Sequence, residues 1–177
     1  MQKIKFTSHM LYLLFRALCW LIPLITTYLI LFNIEDMLTW GGWAVTPAQI
    51  HDTHFSLTHR LAILAIQCAP LSISVLIFHK LANLFRLYEQ GNLFEEENIK
   101  LIKQISIYMI AGELLQLIYQ PLITAALTFN NPPGQRFASI TLGTTNVSTL
   151  ITACIILVAS WIIKEAHQLK ADSQLTI

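Results

Sequence analysis

A carboxylate in the middle of an apolar run is the first residue of this chain that could do chemistry. Glu113 stands in "YMIAGELLQLIYQPLIT". A lone carboxylate at the centre of a membrane helix costs roughly 2.5–3.5 kcal/mol. Such a group has to face protein, find a partner or take up a proton. Ser106, Glu113, Gln116, Gln120 and Thr124 recur at helical spacing and give their segment one polar stripe, and Gln67 in another apolar run falls at a depth similar to Gln120. Arg16, the single charge of the first apolar run, is the natural partner for Glu113. Counted from the charged ends at ~1.5 Å per residue, Arg16 lies ~8 Å deep and Glu113 ~12 Å deep. Three readings stay open. The stripe is polar glue between helices, or a site for a proton, ion or ligand, or Arg16 stretches to the headgroups and Glu113 is protonated.

A second group has the residue types that zinc or copper take: His51, Asp52 and His54, with His59 nearby. On a helix His51 and His54 share a face while His59 turns away, and nothing resembles a second shell. Loop polarity beside a membrane surface accounts for these residues, so no metal site and no cofactor is expected. No histidine pair occurs within two facing runs, which argues against b-type haem ligation. The three cysteines, Cys19, Cys68 and Cys154, each stand alone in apolar sequence and read as small buried residues. No phosphate-binding glycine loop, nucleophile elbow or zinc-protease helix is present.

The third group is "LFRLYEQGNLFEEENIKLIKQI", residues 84–105, the most highly charged stretch of a chain that is only 12% charged and 55% hydrophobic. A soluble domain carries about 25% charged residues. A chain half as charged lacks the polar surface a water-soluble globule needs, which leaves the bilayer as its solvent. With a net charge of +1, the chain has no basic field that would favour nucleic acid.

The elements that position these residues are four apolar runs, near 11–32, 61–78, 105–127 and 147–163. Each approaches the ~20 residues a helix needs to cross ~30 Å of hydrocarbon, and helices satisfy their own backbone there. The predicted fold is therefore all-α: a single membrane domain, an integral four-helix bundle, with a helical cytoplasmic hairpin between spans two and three (79–104) and external loops at 33–60 and 128–146. The first run is too long for a signal peptide and is followed by no cleavage site, so it reads as retained. Nine of the 11 Lys and Arg residues flank one set of ends, against Arg60 and Arg136 on the other. The positive-inside rule then puts both termini and the 79–104 turn in the cytoplasm. Trp40, Trp43 and Trp161 fall near span borders, where interfacial anchors belong. Pro23, Pro70 and Pro121 each remove one backbone bond within a span.

In the turn, Lys80 and Arg86 reach for headgroups, Gly91 closes the second long helix, and Glu95, Glu96 and Glu97 occupy the first turn of the next, where the helix dipole favours anions. Leu81, Leu84, Phe85, Gly91, Phe94 and Asn98 fit the pattern L-x-x-L-F-x-x-Y/L-x-x-G-x-I/L-F-x-x-x-N, and the chain ends in "IIKEAHQLKADSQLTI". In both features the sequence resembles the bacterial domain of unknown function 2975 family, short four-span membrane proteins. The resemblance covers most of the chain, while its specific positions lie in the turn and the tail. Many members carry Ser or Thr directly after the Phe as a helix cap, where this chain has Glu95, so the cap must be carried differently. The resemblance brings no activity with it. Members are often encoded beside small helix-turn-helix regulators, which implies a signalling role.

The expectation is thus a bacterial inner-membrane protein, multi-pass, not an enzyme, that regulates or binds a partner. The partner-binding turn is Phe85, Arg86, Gly91, Phe94 and Asn98. The intramembrane polar set is Arg16, Gln67, Glu113, Gln116 and Gln120. The expected partners are the lipid bilayer, a cytoplasmic regulator of the helix-turn-helix type and further copies of the chain, without direct contact to nucleic acid. The alternative is a small oligomeric transporter or channel subunit built on Glu113.

Overall fold

Each of the four apolar runs lies within a longer helix, because charged and polar residues at its ends carry the same backbone hydrogen bonding past the hydrocarbon boundary. The computed structural model describes residues 2–40, 43, 45, 47–50, 55–92, 95–141 and 143–175. Among them the elements are α1 (Gln2–Phe32), α2 (Ile34–Trp40), a 3₁₀ turn (Pro47–Gln49), α3 (Leu57–Gln90), α4 (Glu96–Leu127) and α5 (Thr144–Leu175), with no strand. The helix assignments continue through Pro23, Pro70 and Pro121.

Four of these helices are long and apolar enough to cross a membrane, and only 6–17% of their most apolar windows is buried inside the protein. Phe6, Trp20, Leu24, Ile118, Ile155 and Ile162 are all more than 60% exposed. A water-soluble monomer does not carry so much continuous apolar surface. These faces suit lipid, and the chain is a multi-pass membrane protein in its architecture.

The helices contribute to two compact units. The first comprises Met1–Cys19, Ile73–Ala111 and Thr144–Ile177; the second comprises Trp20–Ser72 and Gly112–Gly143. In the first, Leu84, Leu101 and Ile105 are buried among Ile77, Leu81, Tyr88 and Met109. Positions 77, 81, 84 and 88 of α3 form one i, i+4, i+7, i+11 seam, and 101, 105 and 109 form the facing i, i+4, i+8 row of α4. Phe15 of α1 stacks on Phe78 and Phe85, with centroids 6.1 and 5.6 Å away. The second unit has a larger core: Ile30, Ile34, Leu38, Val45, Phe55, Ile63, Tyr119, Ile123 and Leu127 are all buried together.

Two glycines have positive φ, Gly91 at 95° and Gly134 at 92°. Gly134 is the third residue of the turn Pro132–Pro133–Gly134–Gln135, closed by Gln135 N–H donating to the Pro132 carbonyl at 3.0 Å. Proline second and glycine third is the signature of a type II turn. Gly91 belongs to the corner described next.

Candidate functional site

The corner between α3 and α4 is built by backbone geometry. Gly91 N–H donates to the Tyr88 carbonyl (3.1 Å) and Asn92 N–H to the Leu87 carbonyl (3.0 Å). These are the paired 5→2 and 6→1 bonds of a Schellman cap, which needs the left-handed residue that Gly91 supplies. The α4 start is closed from the other side: the Glu95 carbonyl accepts from Asn98 N–H (3.0 Å) and Ile99 N–H (3.4 Å). Asn98, only 2% exposed, donates its Nδ2 to the Asn92 carbonyl at 2.5 Å. One side chain thus fastens the first turn of α4 to the cap of α3. Its Oδ1 is buried and has no hydrogen-bond partner among the described residues. Phe94, also expected in this turn, lies outside the described residues, as do His51, Asp52 and His54.

Beside the corner, the last turns of α3 and the first turns of α4 enclose a crevice of about 490 Å³, lined by Lys80, Arg86, Gln90, Glu97, Lys100 and Gln104 among others. Three cations, one carboxylate and three carboxamides, the third from Asn83, converge there. The crevice fits an anionic group flanked by hydrogen-bonding atoms. Phe85 faces the other way, into the stack with Phe15 and an edge contact with Tyr88 at 6.0 Å. It therefore holds the corner in place, while Arg86 is exposed and lines the crevice.

Arg16 is also exposed and in the same unit. Its guanidinium donates back one turn to the Tyr12 hydroxyl (3.4 Å) and lies 6.0 Å from the Tyr12 ring centroid. Glu113 and Gln116 are half-buried on α4 and belong to the second unit.

In that second unit the polar groups are engaged with the fold itself. Gln67 Oε1 accepts from the Trp43 indole (3.2 Å) and also from the Tyr119 hydroxyl. The polar stripe of α4 continues past Thr124 to Thr128 and meets the returning chain. Phe137 N–H donates to Thr128 Oγ1 (3.2 Å), Ser139 N–H to Thr124 Oγ1 (3.0 Å) and Thr141 N–H to Gln120 Oε1 (2.6 Å). The spacing explains the ladder. Two residues of extended chain advance roughly 6.8 Å, and four residues of helix advance about 6 Å. Alternate amides of 137–141 therefore fall opposite every fourth residue of an antiparallel helix. The hydroxyls of Thr124 and Thr128 also donate to the carbonyls of Gln120 and Thr124, each at 2.8 Å.

The two arginines of this unit serve carbonyls. Arg60 Nη1 donates to Leu31 O at 2.5 Å, at the C-terminal end of α1, and its Nε to Phe55 O at 3.2 Å. Arg136 Nε donates to Asn131 O at 2.8 Å, and its guanidinium lies 5.3 Å from the Phe129 centroid. His59 Nε2 donates to Ala126 O at 2.7 Å between Phe55 and Phe129. The fully buried Asn131 donates to the carbonyls of Gln49 (2.8 Å) and Gln135 (3.2 Å).

Several of these residues escape a reading by residue type. Tyr119 and Asn131 carry no positional signal, and Trp43, which reads as an interfacial anchor, donates its indole N–H to Gln67. The i, i+4, i+8 recurrence of Gln120, Thr124 and Thr128 was the one pattern that could have announced the ladder.

A family model for a protein of unknown function (DUF2975) matches residues 7–177. The chain belongs to that family. No match was found among curated proteins or solved structures.

Proposed function

We propose that this member of the domain of unknown function 2975 family is a non-enzymatic protein of the bacterial inner membrane, with both termini and the α3–α4 corner in the cytoplasm, and that the corner docks a cytoplasmic regulatory protein. The observation that carries the reading is the crevice lined by Lys80, Arg86 and Lys100 beside a corner fixed by Gly91 and Asn98. Corner geometry that is set in advance lowers the ordering cost of association, and convergent cations select an acidic patch on the partner. The uneven distribution of Lys and Arg supports the cytoplasmic placement. The expected partner is a regulator of the helix-turn-helix type, presenting an acidic surface away from its DNA-reading helix.

The test has two arms. A reporter inserted at Gly91 should be active only as a cytoplasmic fusion; periplasmic activity overturns the topology. The full-length chain in neutral detergent should retain a co-expressed helix-turn-helix regulator, and the Arg86→Glu, Lys100→Glu double variant should release it. A double variant that retains it as well as the parent, or a parent that never does, overturns the docking role.

A further inference from the structure

A second crevice in the same unit has a different character. It lies between the first turns of α4 and the last part of α5, encloses about 470 Å³, and is lined by Lys100, Lys103, Lys164, Glu96, Ile99 and Trp161 among others. Three ammonium groups meet one carboxylate, and among the described residues none of the three lysines forms an ion pair. Lys100, Lys103 and Lys164 are exposed, whereas Ile99 is only 7% exposed and gives the crevice an apolar wall.

What separates this crevice from the first is its continuation along α5. Ile151, Cys154, Val158 and Trp161 recur at i, i+3, i+7 and i+10 on one face, and all four are exposed. Trp161, the last of them, also lines the crevice, with Lys164 and Gln168 beyond it. The apolar part runs ~15 Å along the helix, comparable to a fatty acyl chain, and ends at the lysines. Trp161 sits at the join, where an indole prefers the boundary between hydrocarbon and water. Basic crevices between membrane helices hold anionic lipid headgroups by this combination of charge and adjoining apolar surface.

We infer that the Lys100–Lys103–Lys164 crevice binds the phosphate headgroup of an anionic phospholipid, whose acyl chain lies along the Ile151–Val158–Trp161 face of α5. A free phosphate would use the ammonium groups alone and leave the apolar stripe without a role. This site is independent of partner docking at the α3–α4 corner, apart from the shared Lys100.

The experiment is native mass spectrometry of the full-length chain in neutral detergent with added phosphatidylglycerol, phosphatidylcholine or inorganic phosphate. Phosphatidylglycerol should be retained in preference to phosphatidylcholine and should resist displacement by phosphate. Each lysine is worth about fivefold near a membrane surface, so Lys100→Gln, Lys103→Gln and Lys164→Gln combined should weaken retention on the order of a hundredfold. The corresponding triple Arg variant should retain the lipid, which separates loss of charge from loss of fold. Equal retention of phosphatidylglycerol by the triple Gln variant and the parent overturns the site. So does equal binding of both lipids, and so does lysine-dependent binding of phosphate that displaces the lipid.

Discussion

The two units of this protein differ in how their cations are engaged. In the second, Gln120, Thr124, Thr128, Arg60, Arg136 and His59 bond to backbone, and Gln67 to the Trp43 and Tyr119 side chains. In the first, Lys80, Arg86, Lys100, Lys103 and Lys164 line two open crevices. Buried polar groups without partners are costly, and doubly so away from water. A polar residue inside the fold is therefore first explained by what it satisfies. Cations that line a crevice and form no ion pair among the described residues suit the external anionic ligands proposed above. The contrast is the ground for the proposal that ligands dock on the first unit, while the polar groups of the second hold its own architecture.

The largest expected effect tests the second unit. Gln67→Leu removes the acceptor shared by the Trp43 indole and the Tyr119 hydroxyl and leaves two partly buried donors without it. The expected loss is about 3 kcal/mol, read as a lowered midpoint of unfolding by sodium dodecyl sulfate in mixed micelles. Gln67→Glu keeps an acceptor and should lose less. If Gln67→Leu unfolds like the parent, the second unit is not held by its polar groups and the contrast fails.

The next effect falls on the first unit. Gly91→Val forces a β-branched residue to φ near 95°, although the space is open: the nearest atom to a Cβ there is Lys5 Cε at 4.0 Å. The penalty is therefore one of backbone conformation, about 2 kcal/mol, and Gly91→Asn should cost well under that. Both variants should leave hydrogen exchange in the Gln67–Tyr119 region unchanged. Equal losses for valine and asparagine would show that the cap is not what shapes the corner.

A smaller effect probes the ladder. Thr124→Val removes the acceptor for Ser139 N–H and should cost about 1 kcal/mol. Exchange of the Ser139 amide should accelerate roughly fivefold, with the amides of Phe137 and Thr141 less affected. Uniform acceleration across the second unit would mean that 137–141 is not held rung by rung.

These sites also show what the sequence could and could not disclose. Four helices followed from run length and low charge, and the closing role of Gly91 from its place between an apolar seam and three glutamates. Asn98 was legible only through the family pattern, since asparagine in a first helical turn is unremarkable until its Nδ2 is found on the Asn92 carbonyl. The segments that flank the 33–60 and 128–146 connections were the least legible part. His59 reads as loop polarity, and Arg60 and Arg136 only as the minority side of the charge count, because their acceptors are main-chain carbonyls, which every residue has and no residue type marks. The stripe on α4 is visible in the sequence, where polar glue, a proton, ion or ligand site, and a protonated Glu113 all stay open. Its Gln120 and Thr124 meet an extended segment whose amides, from Phe137 to Thr141, carry no signature in side-chain chemistry.

The smallest effect marks the boundary between the two kinds of polar group. His9 Nδ1 and Glu89 Oε1 are 2.9 Å apart, joining α1 to the end of α3 inside the first unit, with side chains 49% and 35% exposed. By distance this falls within the range of the contacts in the second unit. By exposure it belongs with the open crevices, since water and salt compete for both groups. Exposed pairs of this kind are worth about 0–0.5 kcal/mol. His9→Gln should accordingly move the unfolding midpoint barely beyond error, and the difference should vanish at molar salt. A loss as large as that of Thr124→Val would mean that the first unit, too, is held by its polar contacts, and exposure would no longer separate the residues that build this protein from those left to bind something else.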